Sequence, residues 1–369
     1  MKKIFFSIVA LAALAACSKS EVQYENPQEI GFAVVANTIT KAPVLTGFPE
    51  ELSLYVNAFT TTYEPEVGET PAPDYFGNVV FARNSTSGKW AGNPAQYWPN
   101  ETMLQFSGYS ISGNIGEGVD KVKGSYDPDN DQLTITGYNP GDDTDEGAND
   151  LMWFPATIAY DKTSGASGVE ADMYHTCSWI TFLVQGNELT SDSNGQYTVT
   201  SLKINDVNMI GKVICSGGTA TDENDNPVTI SNRNLKYFVK WSDLYSQTDY
   251  VVTIPTAGIP LVGTYVAENQ YEAKNIETGL KNTTDGNIVV IPQAPTTIDL
   301  EWTYMSPAGK IVTDTATGKS LTLGTGINWE PGKHYVYTIT IGANEILVSP
   351  DSAEWVNGDM NGNGGVTVE

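Results

Sequence analysis

Short alternating segments recur along the whole chain and constrain its fold more than any other feature. They are rich in Val, Ile, Thr and Tyr, and each is bounded by Gly, Asn, Asp or Pro. In one of them Leu52, Leu54 and Val56 stand two residues apart, which is the spacing of a strand with one buried face. Helical spacing is hard to find, and only residues 241–245 suggest a single helical turn. The pattern predicts an all-β protein made of β-sandwich domains.

The length of the chain sets the expected number of domains. Its 369 residues exceed the roughly 250–300 at which a single hydrophobic core stops growing, so two domains are expected. Residues 161–170 lack aromatic side chains and are rich in Gly and Ser, as domain linkers are. We therefore predict an amino-terminal β-sandwich domain at residues 42–165 and a carboxyl-terminal one at residues 166–369. The predicted strands are 30–40, 51–61, 78–82, 96–98, 103–109, 132–137, 151–154, 173–185, 196–205, 235–241, 249–254, 286–291, 297–304 and 333–342.

The charge of the chain excludes two classes of partner. There are 19 Lys and Arg residues against 44 Asp and Glu residues, which gives a formal net charge of −25. Binding to nucleic acid depends on clustered basic side chains that neutralise phosphates, so no nucleic acid partner is expected. The same deficit of basic residues argues against electrostatic attraction to anionic lipid.

The first seventeen residues have the pattern of an export signal. Lys2 and Lys3 precede an apolar run at residues 4–14, which is too short to cross a hydrocarbon core of about 30 Å. The run ends in Leu-Ala-Ala-Cys17, which resembles a bacterial lipobox. This predicts a signal peptide at residues 1–16 and acyl chains, including palmitate, on Cys17. Several acyl chains anchor a protein stably, at about 0.8 kcal/mol per buried methylene. An ordinary secretory signal that ends beside a cysteine is the alternative.

No combination of side chains predicts an enzyme. The two histidines are His175 and His334, and His175 stands two residues from Cys177. A Cys-His nucleophile pair is conceivable there, but residues two apart on a strand share a face as packed core neighbours do. The chain has no Gly-x-Ser-x-Gly elbow and no phosphate-binding glycine loop in a strand-to-helix setting. We therefore predict no catalytic residues and no cofactor.

Acidic clusters are the only candidate metal sites. Asp alternates at residues 127–131, and acidic residues are dense at 142–146. Residues 359–364 imitate the first half of a calcium loop, but Glu369 falls one position short of the closing glutamate. Two histidines and three cysteines are too few for zinc. We predict solvated turns in all three places, and no metal site.

Two residue types leave alternatives open. Cys177 and Cys215 can pair as a disulfide in an exported protein, or can be small buried hydrophobes. Exposed tryptophans can stack on sugars, whereas Trp90, Trp98 and others fall in or beside strand-like runs, where aromatic residues more often belong to the core. A surface-anchored glycan-binding lipoprotein is therefore the alternative function.

Several motifs follow the lipobox in a characteristic order. They are Thr40-Lys41-Ala42, Tyr97-Trp98-Pro99, LQFSGY at 104–109, DLMW at 150–153, YHTCSWI at 174–180, IPQ at 291–293, WEPGKHYVY at 329–337, and Trp355. In order and spacing this set resembles the fimbrillin family of Bacteroidales lipoproteins, the subunits of type V pili. The resemblance covers most of the chain.

The resemblance implies a fold, a location and a processing step. It implies two transthyretin-like β-sandwich domains in a lipoprotein exported to the outer membrane and the cell surface. Such a protein is a structural fimbria (pilus) subunit for cell adhesion rather than an enzyme. A trypsin-like protease cuts relatives after a basic residue that follows the first strand. The matching position is Lys41, followed by Ala42, so residues 17–41 are expected to be a lipidated propeptide. Many relatives carry Arg there, so the protease here must accept Lys.

Removal of the first strand explains how such subunits polymerise. Ile30, Phe32 and Val34 alternate on the strand that leaves together with the lipid. The departure opens an apolar groove between unpaired strand edges, and such edges are a template for an incoming strand.

The expected donor of the incoming strand is the carboxyl-terminal tail of another subunit. We place the tail at about residues 345–369, with Ile346, Val348 and Trp355 as the side chains that fill the groove. The alternative is that residues 345–356 complete the chain's own sandwich.

Overall fold

A computed structural model gives the fold of the chain. It describes residues 28–34, 52–60, 75–111, 124–127, 132–140, 150–154, 157, 159–171, 173–186, 196–216, 219–221, 227–229, 238–261, 273–276, 288–306, 308–321, 328–342 and 346–354. Within these ranges the regular structure is β only, so the predicted all-β class is confirmed. No helix in the described part of the chain is long and apolar enough to cross a membrane.

Twenty-two strands lie in the described ranges. The first ten are β1 (Gly31–Val34), β2 (Leu54–Thr60), β3 (Phe76–Arg83), β4 (Trp90–Asn93), β5 (Leu104–Ile111), β6 (Gly124–Asp127), β7 (Gln132–Tyr138), β8 (Leu151–Phe154), β9 (Val169–Ala171) and β10 (Tyr174–His175). The others are β11 (Ser178–Gly186), β12 (Gln196–Ser216), β13 (Thr219–Thr221), β14 (Pro227–Thr229), β15 (Phe238–Val251), β16 (Ile259–Pro260), β17 (Lys274–Asn275), β18 (Ile288–Val290), β19 (Thr297–Met305), β20 (Ile311–Ser320), β21 (Lys333–Ile341) and β22 (Ile346–Glu354).

An eight-stranded sheet contains β1 and most of the amino-terminal strands. Its order is β10-β8-β5-β2-β3-β4-β1-β9. Neighbours are antiparallel except for β1 and β9, which are parallel. Large apolar side chains from these strands form the first core, which contains Phe81, Phe106 and Phe154. The two-residue alternation of the strand sequences places these side chains on one face.

Two further sheets pack against each other as a sandwich. The five-stranded sheet has the order β17-β11-β21-β22, with β18 also paired to β11. The seven-stranded sheet has the order β20-β19-β12-β7-β6, with β15 and β16 also paired to β12. Strands of both sheets contribute to the second core, which includes Ile180 of β11, Leu202 of β12 and Tyr337 of β21. Face-to-face packing of two sheets is the architecture that the sequence predicted. Strands β13 and β14 form a separate two-stranded ribbon.

A third core lies where the sheets meet. It combines Trp153 of β8 and Ile135 of β7 with Trp179 of β11 and Cys215 of β12. Cys177 belongs to the same core, and both cysteines are free, buried thiols. Burial raises the pKa of both thiols because a thiolate is poorly solvated there. Of the two alternatives for the cysteines, the structure has the small buried hydrophobes.

The sheets divide the chain differently from the predicted boundary at residue 165. The chain leaves the eight-stranded sheet for the last time after β10, because β9 pairs with β1 and β10 pairs with β8. Conversely, β6 and β7 belong to the seven-stranded sheet, where β7 pairs with the second half of β12. Composition marked residues 161–170 as a linker, but composition does not reveal pairing between distant strands. The two-domain division stays a prediction.

The last described strand is an edge strand. β22 pairs antiparallel with β21, from Ile346 opposite Ile341 to Glu354 opposite Lys333. Ile346 and Val348 are half-buried and pack against the second core. In this structure the strand therefore completes a sheet of its own chain.

Candidate functional site

The first strand occupies an interior position in the eight-stranded sheet. On one side Phe32 stands opposite Trp90 of the antiparallel strand β4. On the other side Phe32 stands opposite Val169 of the parallel strand β9. We call the space between β4 and β9 that β1 fills the slot. Because both long edges of β1 are paired, its removal leaves two unpaired edges.

Hydrogen bonding continues ahead of β1. The amide of Ile30 donates to the carbonyl of Gln96 over 2.8 Å, and the amide of Trp98 donates to the carbonyl of Gln28 over 3.0 Å. Glu29 forms an antiparallel bridge with Tyr97 between these two bonds. The held segment is therefore longer than the strand itself and reaches back to residue 28.

Aromatic side chains enclose the core-facing side of the slot. Phe32 is 0% exposed, and its ring meets Phe81 and Phe106 edge-on at centroid distances of 4.9 and 5.3 Å. Phe154 lies next to it at 6.0 Å. Edge-to-face pairs of this kind are favourable beyond the area they bury. Ile30 is also buried, at 1% exposure. The slot thus holds two large apolar side chains two residues apart.

The predicted site residues fall into three groups in the structure. Ile30 and Phe32 are buried in the first core, and Val34 is half-buried and packs against the same core. Ile346 and Val348 lie in β22, in a different sheet. The remaining predicted site residues lie outside the described ranges, and these are Cys17, Lys41, Ala42 and Trp355.

Sequence reasoning missed the elements that form the walls of the slot. β9 was not predicted as a neighbour, since its three residues carry no alternation that stands out from the loop before it. Trp90 was assigned to a core without a partner. Its indole Nε1 donates to the carbonyl of Leu52 over 2.9 Å, and this bond ties β4 to the residues just ahead of β2. Tryptophan in a short segment was the available signal, because a buried indole N–H needs an acceptor.

The residues considered for catalysis have structural partners. His175 Nδ1 lies 2.8 Å from Asp150 Oδ2, and both side chains are buried. The His334 ring stacks on Trp179 at 3.5 Å with an interplanar angle of 8°. In the part of the chain that the structure describes, no three His, Cys, Asp or Glu side chains form a group that could hold a metal ion. Of the acidic clusters, residues 142–146 and 359–364 lie outside the described ranges.

The slot is suited to binding an extended strand. Its core-facing side is apolar and aromatic, and its two edges are backbone N–H and C=O groups of β4 and β9. Such a site recognises a peptide through backbone hydrogen bonds and alternating side-chain pockets.

Comparison with known proteins finds two matching models. Residues 50–355 match the family model described as fimbrillin-like, and residues 1–18 match the model of a prokaryotic membrane lipoprotein lipid attachment site. No protein with a curated functional description matches the chain.

Solved structures with a similar fold include a fimbrial protein from Bacteroides vulgatus. It is 17% identical, the match covers 90% of this chain and 100% of that chain, and the TM-score is 0.50. A candidate cell adhesion protein from Bacteroides uniformis is 14% identical over 89% of this chain and 99% of its own, with a TM-score of 0.44. The family model covers most of the chain, from the strand that follows the slot segment to β22. The chain therefore belongs to the fimbrillin-like family and carries a lipoprotein lipid attachment site at its amino terminus.

Proposed function

We propose that this chain is a structural subunit of a fimbria that polymerises by strand exchange. In this proposal the subunit is exported as a lipoprotein and anchored through Cys17 to the outer membrane. A trypsin-like protease cuts after Lys41, and residues 17–41 then leave the slot. A strand from another subunit takes their place. The family assignment supports the role as a fimbrial subunit, and the lipid attachment site supports the export as a lipoprotein.

The observation that carries the proposal is the position of β1. It is an interior strand, paired on both edges, and it contributes Phe32 to the first core, as the preceding residue contributes Ile30. It also stands ahead of Lys41 in the chain, so one cut at Lys41 separates it covalently from the rest of the sheet.

Removal of β1 creates a strong drive to refill the slot. Fully burying a Phe or Ile side chain contributes about 1.5–3 kcal/mol, and each ladder hydrogen bond adds about 1 kcal/mol net. An empty slot loses the burial of these side chains and the ladder hydrogen bonds on both edges at once. A strand of a second copy recovers them, and this favours a chain of subunits over separate ones.

The proposed donor is the carboxyl-terminal region of the neighbouring subunit. Among the described strands β22 pairs only with β21, so its release breaks this one ladder. Ile346 and Val348 are two residues apart and alternate as Ile30 and Phe32 do. We keep Trp355 as a third candidate side chain of the donor.

The test asks whether cleavage after Lys41 is by itself enough to start polymerisation. A site-specific protease sequence is inserted between Lys41 and Ala42 of a soluble chain that starts at Ser18, so that only this bond is cut. We expect the cut chain to form ladders that resist mild detergent, as seen by gel electrophoresis without heating. The chain without the inserted sequence is the matched control and should stay monomeric. A cut chain that stays monomeric, or a control that polymerises equally well, would contradict the proposal.

The glycan-binding alternative finds no support in the described tryptophans. Six of the seven in the described ranges are buried, and Trp241 is half-buried, with its indole donating to the carbonyl of Thr176 over 2.7 Å. None of the seven offers an exposed ring for a sugar. The family assignment also supports the prediction that the chain is not an enzyme.

A further inference from the structure

The solvent-facing side of the slot is also walled. Gly31 and Ala33 point away from the first core, yet both are only half-exposed. Over Gly31 lies the aliphatic stem of Lys89, since a Cβ atom added at Gly31 would stand 3.6 Å from Lys89 Cδ. Close to Ala33 lies Gly168, since a Cβ atom added at Gly168 would stand 3.0 Å from Ala33 N and 3.1 Å from Ala33 Cβ.

Lys89 crosses the first strand from one side of the slot to the other. It directly precedes β4, and its Nζ donates to the carbonyl of Ala166, ahead of β9, over 2.8 Å. Gly31 has no side chain, so the stem of Lys89 can lie close to the strand. The lysine therefore joins the two walls of the slot over the strand that fills it.

The turn at residues 161–168 is a firmer wall than Lys89. The Asp161 carboxylate accepts hydrogen bonds from the amides of Thr163 and Ser164 at 2.9 and 2.7 Å, and the amide of Gly165 donates to the carbonyl of Asp161 over 2.8 Å. A Cβ atom at Gly165 would collide with the Trp98 ring, so the turn rests directly on the core. Gly168 has a φ of +110°, a conformation that suits glycine. This wall cannot retreat without disturbing Trp98.

We propose that Lys89 and the turn at residues 161–168 form a size filter for the strand in the slot. The filter admits a strand with large apolar residues on the core-facing side and small residues on the solvent-facing side. It is strict at the position of Ala33, where the obstacle is backbone. It is looser at the position of Gly31, where the obstacle is a side chain that can swing away once its bond to Ala166 breaks.

Two strands occupy the slot in turn and must pass the filter. For the second of them the inference rests on the proposed function. The first occupant is β1, whose Ile-Gly-Phe-Ala order at residues 30–33 satisfies both faces. The second is a strand of another copy of the chain. In the candidate donor, Ile346 and Val348 suit the core-facing positions, and Ser349 then stands where Ala33 stood. Leu347 falls at the looser position and displaces Lys89.

The test measures how long the cut strand stays in its slot. In the protease-cleavable chain, Ser18→Cys carries a fluorophore, and fluorescence anisotropy follows its release after the cut. We expect Ala33→Val to speed release at least about tenfold, because overpacking against a fixed wall is destabilising although valine favours strands. Ala33→Ser is the matched small control and should release within about threefold of the wild type.

A double-mutant comparison separates the two walls. Gly31→Val and Lys89→Ala should each speed release, but their effects should not add, because both act through the same contact. The effects of Ala33→Val and Lys89→Ala should add more nearly. Lys89 is half-buried and its bond to Ala166 is exposed, so its variant keeps the test valid if Ala33→Val fails to fold.

The outcomes distinguish this inference from the proposed function. If Ala33→Val holds its strand as long as the wild type does, or if Gly31→Val and Lys89→Ala add fully, the size filter is wrong, whether or not the wild type polymerises. If Ala33→Val releases faster and the cut wild-type chain stays monomeric, the filter stands and strand exchange between copies is wrong.

Discussion

The buried pair of Asp150 and His175 shows how a single side-chain contact joins two neighbouring strands of one sheet. Asp150 directly precedes β8 and His175 ends β10, and these two strands are neighbours. The carboxylate is 0% exposed and the imidazole 3%, with 2.8 Å between Oδ2 and Nδ1. Removing one member of such a pair leaves a polar group in a place that water does not reach. The pair is a structural element, and it accounts for a histidine that the sequence offered as a nucleophile partner.

Asp150→Ala should lower the free energy of unfolding by about 3–5 kcal/mol, because it leaves the buried imidazole without its acceptor. Urea titration followed by circular dichroism measures the change. The matched control is Asp249→Ala, which breaks the exposed contact of 2.9 Å between Lys203 and Asp249 and should have little effect. Equal losses in the two variants would show that burial is not the cause.

His334 is a second buried histidine, in a different setting. Its ring stacks on Trp179, and its Nε2 lies 2.9 Å from the hydroxyl of Thr181. Burial lowers the pKa of His334 to about 3 because the charged imidazolium is poorly solvated there. The folded protein therefore holds this side chain neutral at pH values where the unfolded chain protonates it.

The depressed pKa of His334 predicts a loss of stability in acid. Above pH 6.5 the histidine is neutral in both the folded and the unfolded state, so it adds no pH dependence to the free energy of unfolding. As the pH falls from 6.5 towards 3, the unfolded state binds a proton that the folded state excludes, so stability falls by up to about 1.4 kcal/mol per pH unit. His334→Phe keeps the stacking and should remove this part of the slope. The measurement is the free energy of unfolding at pH 5.0, 5.5, 6.0 and 6.5, chosen above the range where most carboxylates titrate. Identical slopes in the wild type and the variant would contradict the assignment.

At the scale of elements, β1 has an importance beyond its four residues. Phe32 packs among three phenylalanine rings at centroid distances of 4.9, 5.3 and 6.0 Å. In the uncut chain Phe32→Ala should cost about 3–5 kcal/mol, since it leaves a cavity in the first core. Val34→Ala, two residues away and only half-buried, is the control and should cost clearly less. Urea titrations of both variants check this. Equal costs would mean that the aromatic cluster does not hold the strand.

Local alternation predicted many strands but not their continuity. Residues 151–154 were predicted as a strand and form β8, and residues 103–109 overlap β5 almost fully. The strand predicted at residues 196–205 continues to Ser216, because the register shifts after Ile204 and again after Ile210 while the pairing with β15 goes on. The first shift places an extra residue in β12 and so swaps its faces, which breaks the apolar alternation although the strand continues. The second shift places the extra residue in β15.

The same cause explains an error in the middle of β15. The suggested helical turn at residues 241–245 is wrong, since these residues lie within a strand of 14 residues. Asp243 has a positive φ of 51° and lies at the second register shift between β15 and β12, and Ser246 also has a positive φ, of 61°. β20 was missed for another reason. It is an edge strand whose side chains are mostly exposed, so it shows no apolar alternation.

The candidate site was predictable on one face only. The sequence identified Ile30, Phe32 and Val34, because apolar alternation reports which side of a strand is buried. It could not identify Lys89 or Gly168, which meet the other face of the strand from more than fifty residues away. Contacts of that kind depend on which strands become neighbours, and the neighbours are set by the whole sheet.

At the scale of the whole molecule, the third core links sheets that the sequence assigned to separate domains. The third core draws side chains from β5, β7, β8, β11 and β12. The indole of Trp241 in β15 donates to the carbonyl of Thr176, between β10 and β11, and so joins the seven-stranded sheet to the point where the chain changes sheets. A change in the strands of one sheet is therefore transmitted through packed side chains to the other sheets.

The charge of the whole molecule sets how fast cut subunits meet. Residues 42–369 keep 15 of the 19 basic residues and 41 of the 44 acidic ones, so the cut subunit carries 15 − 41 = −26. Repulsion between such subunits extends about 30 Å at 0.01 M salt but only about 10 Å at 0.1 M. Salt leaves the burial of apolar side chains in the slot intact.

We therefore expect polymerisation to be faster at 0.1 M than at 0.01 M sodium chloride, as followed by light scattering. Anisotropy of the labelled strand, in the same samples, shows whether its release from the slot changes with salt. Slower polymerisation at the higher salt, with release unchanged, would mean that complementary charges bring the subunits together.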